Sequence, residues 1–333
     1  MNRNFVFLFL VMSLALAQER PAWIDNPQSR YPSSKYLVAI GAGDTRKAAE
    51  NAAAANLSQI FQATIKAEQT VNERYKELFT APHQSTYEAQ SDVTKNITIS
   101  TDQTLYNVQF AESYTDNLGK VYVLALLERQ PTAEIYERKM EENDKLMVKY
   151  IEHYQVSTDP IVRYANISAA TVFSTINETL KQQLNIILPG ATFTPKSGYD
   201  AVKVQQLLNE AKKNVPFSVS LTGDSDGKVT AIVKELLSEL GFVVAEKGVL
   251  TVSGDVSFQE IDLKRPEKFV RWSYKFSVVD NSQNTIISLN ENGREAHVTY
   301  NEAVSRALRT MKQKIKTNFG KEINRYFDTM VKK

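Results

Sequence analysis

Hydrophobic residues fall along this chain in three rhythms. The first is an unbroken apolar run, Phe5 to Leu16, preceded by Arg3 and closed by Ala15-Leu16-Ala17. A basic start, a short apolar stretch and a small-x-small motif are the parts of an export signal over residues 1–17, with cleavage expected before Gln18. A spanning helix needs about 20 apolar residues, and this run has 12. An uncleaved anchor is the alternative.

The second rhythm is alternation, the mark of half-buried strands. Lys35 to Ile40 is a short β-type run into Gly41-Ala42-Gly43. Val93, Lys95, Ile97 and Ile99 occupy every second position, and Tyr106, Val108 and Phe110 do likewise. Asp116-Asn117-Leu118-Gly119 turns the chain into Val121 to Leu127, apolar on both faces and so expected at a sheet centre. The third rhythm is helical. Residues 45–66 place Ala49, Ala53, Leu57, Ile60 and Phe61 on one face, with Asp44 at the N-cap position. The polar 67–91 segment, which carries Pro82, reads as a partly helical excursion. Residues 18–130 are therefore expected to form one α+β domain.

Pro131 opens a long helix with Tyr136, Met140, Met147, Ile151 and Tyr154 in one stripe. Ser157-Thr158-Asp159-Pro160 breaks it, since proline suits a helix start and not an interior. A second helix follows with Ile161, Tyr164, Val172, Ile176, Leu180 and Ile187, ending near Pro189-Gly190. Residues 131–190 thus read as a helical hairpin, a spacer or a docking surface.

Residues 191–333 read as a second α+β domain. Phe217, Val219 and Leu221 lead into Gly223-Asp224-Ser225-Asp226-Gly227, then a helix to Leu240-Gly241. Leu250, Val252, Val256 and Phe258 share a strand face. Val270, Trp272, Tyr274, Phe276 and Val278 alternate with Arg271, Ser273, Lys275 and Ser277, which predicts an antiparallel sheet with one wet face. Residues 280–284 make a hairpin turn. A closing helix, about 300–328, shows Ala303, Ala307, Met311, Ile315 and Phe319 at steps of four. The fold class is then α+β: two domains, each an antiparallel sheet with a packed alanine-rich helix, joined by the hairpin.

Composition narrows the function. With 333 residues, 42% hydrophobic, the chain builds a packed core and is not a disordered or collagen-like polymer. No cysteine excludes disulfides, thiol catalysis, thiolate metal sites and a lipidated N-terminal cysteine. Forty basic against 38 acidic residues argues against a nucleic-acid binder.

Local chemistry is sparse. Gly41-Ala42-Gly43-Asp44-Thr45-Arg46 follows a strand and opens a helix like a dinucleotide-binding turn, but Arg46 stands where the third glycine belongs. A structural strand-to-helix turn is the better reading. Asp224, Asp226 and Gly227 suggest a calcium loop, yet Lys228 occupies a ligand position. Ser225 or Asp226 capping the next helix fits better. His83, His153 and His297 form no zinc-binding spacing. Glu141-Glu142 sits on a solvated helix face. No catalytic, cofactor or metal residue is therefore assigned, and the chain is expected not to be an enzyme. Nine basic residues in 303–333 (Arg306, Arg309, Lys312, Lys314, Lys316, Lys321, Arg325, Lys332, Lys333) stand against Glu322 and Asp328. They are a candidate contact for anionic headgroups or cell-wall polymers, although the solvent face of an amphipathic helix is the commoner role. Sequons at Asn56, Asn96, Asn166 and Asn177 matter only in a glycosylating pathway.

One succession carries a family signal. Pro21-Ala22-Trp23-Ile24-Asp25-Asn26-Pro27 is followed by Tyr36-Leu37-Val38-Ala39-Ile40-Gly41-Ala42-Gly43 and the alanine-rich helix from Ala48 to Ile60. Over roughly residues 20–128 this resembles the LPP20 (LPP-twenty) lipoprotein family of bacterial envelopes, which is similar to the N-terminal domain of flagellar assembly protein T. Gly293-Arg294-Glu295-Ala296 and Glu302 to Ala307 resemble envelope proteins carrying this domain. The resemblance implies an exported protein of the periplasm or outer membrane with assembly or scaffolding roles. Its partners would be envelope proteins or a second copy of itself. The sequence departs from the family in having no lipobox cysteine, so it is expected not to be lipid-anchored. The alternative is a periplasmic binding module for a small molecule or cell-wall polymer, with a pocket lined by aromatics such as Trp272 and Tyr274.

Overall fold

A computed structural model of the chain describes residues 19–62, 69–79, 97–100 and 103–331. The export signal, Val93 and Lys95 of the first alternating strand, Pro82, His83, Asn96, Lys332 and Lys333 lie outside the described residues. These residues divide into two compact units. Among them, no helix is long and apolar enough to cross a membrane.

The first unit is a three-stranded antiparallel sheet with β1 (Tyr36–Gly43), β5 (Val121–Glu128) and β4 (Gln109–Thr115) in that order. As its two-sided apolar pattern requires, β5 is central. A hairpin of β2 (Ile97–Ser100) and β3 (Gln103–Tyr106) precedes β4. The single strand expected through Tyr106 and Phe110 is broken at Asn107, whose φ of 62° is left-handed. Asparagine tolerates that backbone, and the Asn107 amide donates to Thr132 Oγ1 at 3.0 Å.

One face of this sheet carries α1 (Arg46–Gln62). Gly41 and Gly43 lie within β1 itself, on that face. A Cβ at Gly41 would stand 2.0 Å from the Ala53 nitrogen, and one at Gly43 would stand 2.8 Å from the Ala48 Cβ. Two glycines and an alanine-rich helix thus bring backbone against backbone. Thr45, not Asp44, caps the helix: its Oγ1 accepts the Ala48 N–H at 3.2 Å. Ile60, expected on the packed face, is 39% exposed. Its place is taken by Ala54 and Ser58, because the buried stripe runs at Ala49, Ala53, Leu57 and Phe61 with those two beside it.

Two single-turn 3-10 helices, Ala22–Ile24 and Pro27–Ser29, close the opposite face. Trp23 and Ile24 bury themselves against Leu124, Leu126 and Tyr114. The early P-x-W is therefore the lid of a second small core.

The second unit contains α2 (Gln69–Phe79), most of the hairpin α3 (Arg129–Val156) and α4 (Pro160–Ile187), and everything after residue 188. Asp159 accepts the N–H groups of Ile161 and Val162, and Pro160 starts α4. Asn143 donates to Asn177 Oδ1 at 2.8 Å, and Asn177 donates to the Met140 carbonyl at 3.0 Å. This buried ladder fixes the register of the two arms. Hairpin residues such as Met147 and Phe173 share one core with the C-terminal sheet.

That sheet runs β6 (Phe217–Thr222), β7 (Leu250–Ile261), β8 (Lys268–Asp280), β9 (Thr285–His297). Its last three strands are antiparallel as expected, but β6 lies parallel to β7. A parallel pair needs a crossover, and α6 (Lys228–Glu239) supplies it. Two further helices complete the unit: α5 (Ala201–Lys213), which the sequence reading did not assign, and α7 (Tyr300–Met330). Asp200 caps α5 through the Lys203 N–H at 2.8 Å, and Thr299 caps α7. Ala303, Ala307, Met311, Ile315 and Phe319 are all fully buried, as their spacing demands.

Candidate functional site

The Gly41–Arg46 segment has no free cradle. Both glycines are filled by α1, and Arg46 pairs with Glu50 one turn along the helix at 2.9 Å. The Asp224 loop is a helix cap. Asp224 accepts the N–H groups of Val229 and Thr230 at 3.2 and 2.7 Å, so it does the work expected of Ser225 or Asp226. Burial opposes its ionisation, yet the hydrogen bonds from Thr230 and Val229 prevail and hold its carboxyl below the usual range. Asp226 pairs with Lys228 instead. Among the described residues no three His, Asp or Glu side chains gather as a metal site. Glu141 bonds Lys196 at 2.6 Å, and that lysine holds its carboxyl low. Glu142 pairs with Lys139. The sequons at Asn166 and Asn177 are buried.

Trp272 and Tyr274 are 1% and 0% exposed. They form a stack with Phe276 on the covered face of β8, and Gly293 of β9 leaves room for the indole: a Cβ there would meet Trp272 Cζ2 at 2.4 Å. The aromatics expected to line an open pocket are core. Burial pushes the Tyr274 hydroxyl up to about 12, and neither it nor the Trp272 N–H has a hydrogen-bond partner among the described residues.

Three lysines of the basic closing helix are matched by its neighbours. Lys312 and Lys316 pair with Glu235 and Glu239 of α6, and Lys314 with Glu291 of β9. Unmatched charge also lies on the wet face of the sheet. Arg271 and Arg294 stand directly opposite in the β8–β9 register, with Gln259 as the next neighbour across β7. Neither has an ion-pair partner among the described residues, and Arg294 rests on Phe269, its guanidinium 5.8 Å from the ring centroid. Opposed like charges weaken a sheet.

One cavity of about 170 Å³ opens in the second unit among four helices. Val71 and Arg74 come from α2, Leu208 and Lys212 from α5, and Ile323 and Asn324 from α7. The long wall is α4, with Ser168, Thr171, Val172 and Thr175; Leu240 and Phe242 close the end beyond α6. Arg74 is neutralised by Asp328, with contacts of 3.0 and 2.6 Å, and also donates to Ser168 at 3.2 Å. Lys212 Nζ donates to the Leu240 carbonyl at 2.8 Å and has no ion pair among the described residues. Burial lowers its pKa from the usual lysine value. Sequence reasoning missed this site because Lys212 lies on the unassigned α5. Asp200 followed by Val204, Leu208 and Ala211 was the available signal.

The chain is similar over 84% of its length, and 96% of the other, to the secreted protein HP1454 of Helicobacter pylori, at 10% identity and a TM-score of 0.44. A minor lipoprotein from Acinetobacter baumannii covers 35% of the chain and 94% of itself, at 16% identity and a TM-score of 0.25. A putative lipoprotein from Caulobacter crescentus CB15 covers 36% and 93%, at 10% and 0.24. No curated protein matches. Residues 21–128 match the LPP20 lipoprotein family. That matched span holds both the Trp23 lid and the glycine-to-alanine packing of β1 on α1, so the similarity to the LPP20 family lies in the first unit.

Proposed function

We propose that this is an exported, non-catalytic envelope component that works through protein–protein contacts in assembly or scaffolding, with the wet face of the C-terminal sheet as its contact surface. The observation that carries this reading is the opposed pair Arg271 and Arg294, exposed, unmatched and flanked by exposed Lys275, Asn290 and Asn292. A sheet keeps such a pair at a cost in stability, and an acidic surface on an envelope protein or a second copy relieves it. The similarity to the LPP20 family supports placing this surface in the periplasm or at the outer membrane.

The test is site-specific photo-crosslinking in cells, with the probe at Asn290 or Asn292 and, as control, at exposed Gln313 on α7. Adducts to one envelope protein or to the chain itself from the sheet positions alone, lost with Arg271→Glu plus Arg294→Glu, support the reading. Identical adduct patterns from Gln313 and Asn290 refute it. The cavity favours a second reading, a binding module for a small molecule.

A further inference from the structure

A desolvated ammonium without a counter-charge is costly to keep. Lys212 is a half-buried group of this kind, without an ion-pair partner among the described residues. One of its three hydrogens reaches the Leu240 carbonyl at the end of α6, and the other two have no acceptor among the described residues. The second cation in the cavity wall, Arg74, is already balanced by Asp328, so the wall carries one net positive charge. The Asn324 amide, also in the wall, has no hydrogen bond among the described residues. Around these two donors the lining is apolar: Val71, Val172, Leu208 and Phe242.

From this geometry we infer that the cavity binds a small carboxylate with a short apolar body, its head on Lys212 and Asn324 and its body among the α2, α4 and α5 side chains. The inference rests on the binding-module reading and is independent of the sheet-face contact. Size sets the body. A cavity of roughly 150 Å³ accepts a benzene-sized molecule, and this one measures about 170 Å³. A carboxylate on a single ring or a chain of similar bulk fills it. A charge-assisted hydrogen bond in a partly dry site is the stronger kind, which gives the head its preference for an anion over an alcohol.

Calorimetric titration of the full chain tests this with hexanoate, hexanol and inorganic phosphate as probes. Hexanoate is expected to bind and the other two not. Lys212→Met should weaken hexanoate by about tenfold or more, while Lys212→Arg, which keeps the charge, retains it. Thr175→Phe, which fills the cavity and leaves Lys212 in place, should abolish binding with the melting temperature preserved. Hexanol binding as well as hexanoate, unaffected by Lys212→Met, would overturn the anion inference and leave the binding module standing. Phosphate alone binding as tightly as hexanoate would overturn the apolar half. No binding by any probe would overturn both the inference and the binding-module reading.

Discussion

Replacing Gly41 by alanine adds one methyl group at a tight backbone contact of the first unit. Its Cβ would lie 2.0 Å from the Ala53 nitrogen, 2.3 Å from the Ala49 oxygen and 2.6 Å from the Ala52 carbonyl carbon, where real Cβ atoms essentially never come within 3.0 Å. All three atoms are backbone, so no side chain can swing away and α1 must lift by about 1 Å. A gap of about 0.5–1 Å forfeits a quarter to a half of each dispersion contact. Leu57 and Phe61 are the large fully buried side chains of α1, each worth about 1.5–3 kcal/mol. The expected loss is therefore about 1–3 kcal/mol, in line with other overpacked cores. Gly320 is the control, because a Cβ there meets nothing within 4 Å in the middle of α7. Gly320→Ala should stabilise by about 0.5–1 kcal/mol. Native-state hydrogen exchange of peptides from β5 and from α7 reads the two effects separately. An unchanged or raised opening free energy in β5 for Gly41→Ala would refute the claim that the glycines exist for close packing.

Three further outcomes follow from the second unit. Met311→Asp places a carboxylate at a fully buried position of α7 and should unfold the unit, since burying an unpaired charge exceeds a typical stability of about 5–15 kcal/mol when added to the lost packing; an unchanged melting temperature would sink the docking of that face. Tyr274→Phe removes a buried hydroxyl that has no partner among the described residues and should raise stability by about 1 kcal/mol. Tyr164 and Tyr274 both titrate near 12 in the fold, burial being the main cause, against an ordinary 10.0. A raised folded-state value means stability fully present below pH 10 and lost as pH rises towards 12, so Tyr274→Phe should blunt the alkaline melt. Asp224→Ala removes a helix cap and should cost about 1 kcal/mol at neutral pH by urea denaturation. Because the Asp224 pKa is depressed from 3.8, its contribution is present above that pH and fades below it, so the gap between variant and wild type should close in acid.

Much of the fold could be read from spacing. The alternation of Val270, Trp272, Tyr274, Phe276 and Val278 put one strand face under α7, and the step-of-four stripe from Ala303 to Phe319 named the residues that cover it. The turn at 280–284 was legible because an aspartate there has a local job: Asp280 Oδ1 accepts the N–H groups of Ser282 and Asn284, both at 2.8 Å. Where the reading failed, the deciding partner was distant in sequence. Ile60 sits at helical spacing from Leu57, but β1 and β5 set which arc of α1 is covered, and that arc leaves it outside. Asn107 breaks a strand through a bond to Thr132, 25 residues on. Nothing inside Phe217–Thr222 states that its neighbour will be parallel; the intervening α6 decides that.

Charge shows the same limit more sharply. A tally along 303–333 makes the closing helix the most basic surface of the chain, yet three of its lysines meet glutamates on α6 and β9. Screened surface pairs of this kind contribute little stability, but they cancel the field that an anionic partner would feel. Two arginines of the sheet that stay unmatched, Arg271 and Arg294, are isolated in their local sequence and become neighbours only through the β8–β9 register. Lys212 and Asn324 lie on different helices and line one cavity where four helices leave a gap. Both candidate contacts of this protein are therefore products of tertiary pairing. A linear count does not separate charges that folding neutralises, such as Lys312 and Lys316, from those that it brings together and leaves free.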